Sequence, residues 1–206
     1  MKAVVQRVID ASVTVNGVLK GAIASGLLVY LGVARDDTFR DADWLAEKIA
    51  HLRIFDDNEG KMNLSLLDFI VNQQKEMVNI MGINHEKCEV NVIRPLTEST
   101  EDTENSNFIF PRASVRVSSS PPPPIGVLAV SQFTLLGDAR KGRRPTWDKA
   151  APPEQARELY LYFMKKMSEM APCAGGEFQA HMKVSYTNDG PVTILLDSAD
   201  HFLTPA

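Results

Sequence analysis

A short apolar run that ends in polar residues constrains the fold of this chain more than any other stretch. Residues Val127–Val130 are all apolar, which is typical of a strand buried on both faces. Ser131, Gln132 and Thr134 then add hydrogen-bonding side chains, and Phe133 adds an aromatic ring. Because a buried polar group costs free energy unless it is paired, such a strand often lines a cavity. The residues alone leave an alternative open, in which these side chains bond to neighbouring backbone or face solvent.

A second polar interruption lies near the C-terminal end, between two strand patterns. Val184–Thr187 and Val192–Leu196 have the composition of strands, and Asn188–Pro191 separates them. The triplet Asn-Asp-Gly predicts a hairpin turn. The proline that follows fixes φ, and X-Pro bonds are the peptide bonds that readily adopt the cis form. From the residues alone we predict two strands joined by a surface hairpin.

These two stretches resemble the signatures of the D-aminoacyl-tRNA deacylase family, which are an SQFT strand and an NxGPVT turn. Here they are Ser131–Thr134 and Asn188–Thr193. The chain departs from the family at Arg143, where members usually have Met. Residues from about 69 to 124 look like an insertion between two blocks that are nearly adjacent in other members. Further blocks in the family's order are Gln6–Val8 with Ala11–Val15, Gly26–Val29 with Leu31–Val33, Arg53–Phe55, Gly60–Leu64 and Gly142–Pro145.

Strand and helix patterns flank the insertion. Helical spacing of apolar residues runs through 41–52, and a second helix is expected to start at Pro152-Pro153. We expect a mostly β (α+β) fold, a barrel-like sheet with two main helices packed outside it, which is the fold that the resemblance implies. Residues 1–206 form a single domain in this interpretation. Its surface insertion ends in a proline-rich run that cannot enter a sheet. The early strand patterns are 2–8, 12–15, 19–23 and 27–33, with a hairpin turn at Asn16-Gly17.

Charge gives a mixed indication of nucleic-acid binding. The formal net charge of −4 argues against general affinity for nucleic acid. A local basic cluster can nevertheless neutralise several phosphates, although a solvated loop would have the same composition. The cluster comprises Arg140, Lys141, Arg143, Arg144 and Lys149.

Other classes of protein and site find little support. The two cysteines, Cys88 and Cys173, match no disulfide or metal framework. No apolar run approaches the roughly 20 residues that a membrane helix needs. No phosphate loop, dinucleotide fingerprint or zinc spacing is present. We therefore expect a soluble, cytoplasmic protein with no cofactor, no metal and no membrane partner.

Three routes to ester hydrolysis can be weighed. A metal could activate water, but the sequence shows no ligand set for one. Ser131 or Thr134 could attack the ester, although either hydroxyl would need a base. Of the four histidines, His181 is the one on a strand near the proposed site. In the third route, backbone N–H groups stabilise the oxyanion and the vicinal 2′-OH of the substrate helps to position or activate water. This route is the one that the resemblance implies.

The resemblance also implies a role for each residue of the SQFT strand. Ser131, Gln132 and Phe133 would form the pocket for the terminal adenosine, with Phe133 contributing partly through its backbone N–H. Thr134 would lie beside the scissile ester. Of the basic cluster, we expect four members to contact tRNA phosphates, namely Arg140, Lys141, Arg143 and Arg144.

For the C-terminal signature, the resemblance implies a role in trans. Gly190 and Pro191 would form a cis dipeptide that enters the site of the partner subunit and blocks an L side chain, so that the enzyme would be a homodimer. Arg7 would hold that dipeptide, and Met182 would line the pocket. From the residues alone, Arg7 could equally be an ordinary strand-edge charge and Met182 an ordinary core residue.

The function implied is hydrolysis of D-aminoacyl-tRNA to free D-amino acid and tRNA, which is chiral proofreading in translation. Glycyl-tRNA would also be a substrate, because a pocket that only excludes side chains cannot reject a hydrogen atom. Two alternatives remain open. One is a Ser/Thr hydrolase of small esters or peptides, and the other is a non-catalytic RNA-binding module.

Overall fold

A computed structural model of the chain describes residues 1–81 and 123–202. The architecture is a nearly closed, barrel-like β-sheet with helices packed outside it, as predicted. The strands are β1 Lys2–Val15, β2 Val18–Ile23, β3 Gly26–Gly32, β4 Phe55–Asp56, β5 Met62–Leu64, β6 Gly126–Ser131, β7 Cys173–Gly175 and β8 Met182–Asp197. The helices are α1 Phe39–Ala50, α2 Leu66–Met81, α3 Pro153–Met170 and α4 Ser198–Phe202, with a 3₁₀ helix at Phe133–Leu136.

Strand β1 organises the sheet. Its first half pairs with β3 and its second half with β2, while its other edge pairs with β8 along nearly its whole length. The predicted break between residues 8 and 12 is absent, because Asp10 and Ala11 pair with Thr187 and Tyr186 of β8, which keeps the backbone extended. The predicted turn after β1 is confirmed, with φ values of 51° at Asn16 and 81° at Gly17.

The order of strands in the main sheet is β2-β1-β3-β6-β7, in which β3, β6 and β7 run parallel. The two ends of this order approach each other at glycines. A Cβ atom built on Gly21 of β2 would lie 2.8 Å from the carbonyl oxygen of Gly175 in β7. Since only glycine permits this approach, the pair brings the sheet almost to closure.

Alternation along β6 divides the core into two parts. Leu128 and Val130 point into the barrel, where they join Val8, Val13 and other small aliphatic residues. Val127 and Ala129 point outwards, because successive side chains of a strand face opposite sides. There they meet the apolar faces of α1 and α3, which contribute Leu45, Ile49, Leu159, Phe163 and Met167. All four residues Val127–Val130 are at most 1% exposed, as the apolar run predicts.

Helix α2 begins at Leu66 and continues into the interval that was predicted to be a surface insertion. Its start is capped by Ser65 and Asp68, since the Asp68 carboxylate accepts from the Ser65 backbone N–H at 3.0 Å and from its hydroxyl at 2.6 Å. Phe69 stacks on Phe55 with ring centroids 4.6 Å apart. Core packing therefore continues past residue 69. Residues 82–122 lie outside the described part of the chain, so most of the insertion stays a prediction.

Strand β8 differs from the prediction, because Asn188–Pro191 does not reverse the chain. Gln6 of β1 pairs with Thr193, and Val8 pairs with Asn188, so that β8 takes five steps where β1 takes two. The segment is therefore a bulge in one long strand, and the surface hairpin is wrong. Pairing with β1 on both sides of the bulge outweighs the local turn tendency of Asn-Asp-Gly. Within residues 1–81 and 123–202, no helix has both the length and the apolar character needed to span a membrane.

Candidate active site

A cavity of about 530 Å³ opens where β6 ends. One wall is formed by Ser131, Gln132 and Phe133, and the floor includes Leu31 of β3 and Val33 just after it. The start of α3 closes one side. The polar side chains of the lining are Ser131, Gln132, Gln179 and His181, and no Lys, Arg, Asp or Glu belongs to it. The site is therefore suited to an uncharged, partly aromatic ligand group.

The wall adopts its shape because β6 stops at Ser131 and turns into the 3₁₀ helix. The Gln132 N–H donates to the Leu31 carbonyl at 2.7 Å, which ends the pairing with β3. The Gln132 amide donates to the Thr134 hydroxyl. Thr134 itself is exposed and is not part of the cavity lining. The structure thus brings Ser131–Phe133 into the cavity and leaves Thr134 just outside it.

The opposite wall is formed by the segment that leads into β8. Met182 lines the cavity together with Phe178, Gln179, Ala180 and His181, and its role towards a substrate stays a prediction. Sequence reasoning did not single out Phe178, Gln179 or Ala180. The available signal was Gly175-Gly176, after which the chain has to turn before β8 begins. Gln179 has a φ of 64°, which is unusual for a residue other than glycine and aims this turn at the cavity.

The described histidines do not form a nucleophile–base pair with the hydroxyls of the SQFT segment. His181 lines the cavity but makes no hydrogen bond to Ser131 or Thr134. His51 contacts the Glu47 carbonyl at 2.9 Å on α1. His201 stacks on Trp44 at the far end of the fold. In the described ranges, His, Cys, Asp and Glu also form no group of three or more that could hold a metal ion.

The Gly190-Pro191 bond is cis, and both residues are exposed outside the cavity lining of their own chain. Gly190 has a φ of 112°, a conformation that L side chains rarely adopt. A Cβ atom there would lie 2.7 Å from Val192 Cγ2 and 3.1 Å from Arg7 Nη2. The bulge therefore presents a bare backbone to its surroundings.

Arg7 lies beneath this bulge and is only 7% exposed. Its Nη1 donates to the Ile54 carbonyl at 2.8 Å and to Asp56 Oδ1 at 3.3 Å. Its Nε lies 2.9 Å from Asp189 Oδ2. The Nε–H is not aligned for a hydrogen bond, so this contact is an ion pair by distance. Arg7 is therefore a buried link between the bulge and the β4 region and not a solvated strand-edge charge.

The basic cluster is exposed but unevenly paired. Arg140 Nε lies 2.9 Å and 3.0 Å from the two carboxylate oxygens of Asp138. Hydrogen bonds from Arg140 hold the pKa of Asp138 well below its ordinary value. In the described part of the chain, Lys141, Arg143 and Arg144 make no such ion pair and extend into solvent.

Similarity to known proteins covers nearly the whole chain. The family described as D-Tyr-tRNA(Tyr) deacylase matches residues 4–78 and 113–197. A D-aminoacyl-tRNA deacylase of Kosmotoga olearia is 44% identical over 202 residues, covering 98% of this chain and all of that protein. A D-aminoacyl-tRNA deacylase of Geotalea uraniireducens is 44% identical over 199 residues, covering 96% of this chain and 94% of that protein.

Two solved structures have the same fold. A c-Myc DNA unwinding element binding protein is 31% identical and superposes with a TM-score of 0.66, with full coverage of both chains. A probable eukaryotic D-amino acid tRNA deacylase has a TM-score of 0.61 at 14% identity, covering 95% of this chain and 97% of that one. At that identity, the second likeness shows the fold alone.

Proposed function

The chain belongs to the D-Tyr-tRNA(Tyr) deacylase family, and we propose that it hydrolyses the ester bond of D-aminoacyl-tRNA, releasing free D-amino acid and tRNA. The observation that supports this most directly is that two groups of family residues, far apart in the sequence, line the same cavity. Ser131–Phe133 form one wall and Met182 the other. We expect the reaction to proceed in the cytoplasm, where tRNA is aminoacylated.

The cavity suits the terminal adenosine of tRNA. A nucleoside offers an aromatic base and a ribose with hydroxyl groups, and it has no charge of its own. The apolar floor and Phe178 can contact the base, while Ser131 and Gln132 can hydrogen-bond to its polar edge or to the ribose. Absence of charged side chains from this lining agrees with a neutral group being bound there, with the phosphates outside.

For the chemical step we propose attack by water and not by a side chain. The water oxygen bonds to the ester carbonyl carbon, the bond to the ribose oxygen breaks, and that oxygen takes up a proton. The Phe133 backbone N–H would stabilise the oxyanion, and the 2′-OH of the substrate would help to orient the water. Thr134 would lie near the ester without forming a covalent bond, which agrees with its hydroxyl already accepting from Gln132.

For chirality we propose that Gly190 and Pro191 enter the cavity of the partner subunit in a homodimer. Their exposure and their position outside the cavity of their own chain support this arrangement. Arg7 would keep the bulge in place through its contact with Asp189. A wall of bare backbone rejects an L side chain by steric overlap, and it accepts both D residues and glycine.

Outside the cavity, the phosphates of tRNA would be contacted by the basic cluster. Lys141, Arg143 and Arg144 are exposed and extend into solvent. Arg140 would have to share its charge with Asp138, so we expect it to contribute less than the other three. Arg143, which stands where the family usually has Met, adds a cation at this surface.

Release of amino acid from D-Tyr-tRNA and from L-Tyr-tRNA tests the proposal. We expect the D substrate to be hydrolysed and the L substrate to be spared. Binding of tRNA without turnover would instead identify an RNA-binding module. Hydrolysis of simple aryl esters at rates that tRNA does not affect, and that fall with Thr134→Ala, would identify a Ser/Thr hydrolase.

A further inference from the structure

Two exposed aromatic side chains meet at the mouth of the cavity. The rings of Phe133 and Trp147 pack edge to face, with centroids 5.2 Å apart and an interplanar angle of 72°. Phe133 is 57% exposed and Trp147 is 39% exposed. Phe133 also lines the cavity, so the pair extends from the cavity wall outwards. Large aromatic rings that remain this exposed need a reason, because burying them would be favourable.

The pair is held in place by the backbone around it. Asp138 and Thr146 exchange two backbone hydrogen bonds of 2.9 Å, which close the loop between them. Trp147 follows that closure directly, and its carbonyl accepts from the Ala150 N–H at 2.9 Å. On its other side, the indole lies against Gly137, where a Cβ atom would be 2.6 Å from Trp147 Cζ3. The indole is therefore positioned before any ligand arrives.

The loop that Asp138 and Thr146 close carries the exposed cations Lys141, Arg143 and Arg144. Positive charge and an exposed aromatic pair thus lie on adjacent segments beside the cavity. Proteins that bind single-stranded nucleic acid combine these two features, with bases stacked on aromatic rings and cations along the backbone.

A second aromatic pair in the same molecule shows that exposure alone is not the signal. Phe39 and Tyr162 also pack edge to face, with centroids 4.7 Å apart, and Phe39 is 44% exposed. This pair lies where α1 meets α3, and the charged groups beside it include both carboxylates and a lysine. The Tyr162 hydroxyl donates to Asp43 at 2.9 Å, and the nearby Lys166 is itself 3.5 Å from Glu169. Neither ring of this pair belongs to the cavity lining.

We propose that the Phe133–Trp147 pair is a stacking subsite for the base that precedes the terminal adenosine of the RNA 3′ end. The cavity takes the last nucleoside, the indole takes the base before it, and the loop cations face the intervening phosphates. The inference rests on the proposed function, because it places the terminal adenosine in the cavity. It adds a second nucleotide to the recognition and assigns it to Trp147.

Fluorescence titration with two probes, adenosine monophosphate and the trinucleotide CCA, tests the subsite. Trp44 and Trp147 are the two tryptophans of the chain, so a Trp44→Phe background reports on Trp147 alone. We expect CCA to quench Trp147 and to bind more tightly than adenosine monophosphate. Trp147→Ala should weaken binding of CCA by roughly 5- to 100-fold, since one stacked base contributes this much. Trp147→Phe should retain most of the affinity, and Phe39→Ala is the matched control.

Three results would overturn the subsite. The first is no change in CCA affinity with Trp147→Ala, and the second is an equal loss with Phe39→Ala. The third is an equal loss for both probes, which would assign Trp147 to the shape of the cavity. If the alanine variant does not fold, quenching of the Trp44→Phe protein and the Trp147→Phe affinity still decide the question. A protein that binds CCA in this way but releases no amino acid from D-Tyr-tRNA would retain the subsite and lose the proposed function.

Discussion

The two sides of the proposed site are held in place by different forces. The wall at Ser131–Phe133 continues from β6. The four residues of β6 before Ser131, Val127–Val130, are buried between β3 and β7. The bulge at Asn188–Pro191 instead contacts Arg7, a buried cation whose partners Asp56 and Asp189 are about half exposed, at 48% and 44%. One side thus rests on apolar burial, and the other rests on charge.

This difference separates binding from selectivity. Apolar burial is insensitive to ionic strength, whereas ion pairs that reach solvent weaken as salt screens them. The cavity that would hold adenosine should therefore keep its shape over a wide range of salt. Chiral selection, which would depend on the bulge, should be the property that salt and single charge changes can alter.

Removing apolar volume from the buried side should have the largest effect. Leu128 is 0% exposed inside the barrel, so Leu128→Ala should lower the free energy of unfolding by about 2–5 kcal/mol. Leu19→Ala is the matched control, because Leu19 is 59% exposed and should change stability by less than about 0.5 kcal/mol. Urea denaturation measures both. Equal effects of the two substitutions would show that apolar burial does not stabilise the Ser131–Phe133 side of the site.

Removing the cation from the charged side should have a smaller effect on stability and a larger one on selectivity. Arg7→Met keeps much of the length of the side chain but leaves the Ile54 carbonyl without its donor. This should lower the free energy of unfolding by about 1–3 kcal/mol. The ratio of D-Tyr-tRNA to L-Tyr-tRNA hydrolysis should fall as the bulge loosens. Lys2→Met is the control, since Lys2 lies on the same strand as Arg7 and its partly exposed pair with Asp197 should contribute less than about 1 kcal/mol. An unchanged ratio with Arg7→Met would show that another group holds the bulge.

Alkaline pH should lower the stability of the buried side through Cys173 of β7. Burial raises the pKa of the Cys173 thiol from 9.0 to about 12. The unfolded thiol loses its proton above pH 9 while the folded thiol keeps it, so this stabilisation is present below pH 9 and is lost as pH rises towards 12. Between pH 8 and pH 10, Cys173 alone should account for a loss of about 1 kcal/mol in the free energy of unfolding. Cys173→Ala should show a shallower decline than the parent protein, and identical slopes would contradict the assignment.

The smallest effect is expected from the Thr134 hydroxyl, which lies just outside the cavity. Thr134 is exposed and its hydroxyl accepts one hydrogen bond from Gln132, so Thr134→Ala should reduce hydrolysis of D-Tyr-tRNA by no more than about tenfold. Single-turnover rates with saturating enzyme measure the chemical step. A fall in the single-turnover rate of more than about a thousandfold would indicate that Thr134 acts as a covalent nucleophile.

Sequence reasoning succeeded where a local pattern determines the structure. The apolar run Val127–Val130 is buried as predicted, because four consecutive apolar residues have no polar face to turn outwards. Asn16-Gly17 forms the predicted turn, because both residues tolerate positive φ. The structure places Ser131, Gln132 and Phe133 in the cavity lining, and their part in binding adenosine stays a prediction.

It failed where distant pairing or local caps decide the structure. The turn tendency of Asn188–Pro191 was visible, but the pairing of β8 with a strand at the other end of the sequence was not. Helix α2 was missed because its apolar residues show no clear period, although Ser65 and Asp68 three residues later are a helix-start signal. The cavity wall at Phe178–Ala180 could not be inferred either, since its orientation depends on a turn that only the fold defines.

The pairing of β1 with β8 also has a consequence for the order in which the protein is made. Lys2 pairs with Asp197 and Val15 with Met182. One edge of β1 therefore stays unpaired until β8, near the end of the chain, has been synthesised. Contacts between residues so far apart in sequence form slowly, and an unpaired strand edge can bind another chain in the meantime. During translation, the emerging protein would therefore have its cavity half assembled and one edge of β1 unpaired. The late segment from Phe178 to the end of β8 supplies both the second cavity wall and the Gly190-Pro191 bulge, so a truncated chain that lacks it would have neither.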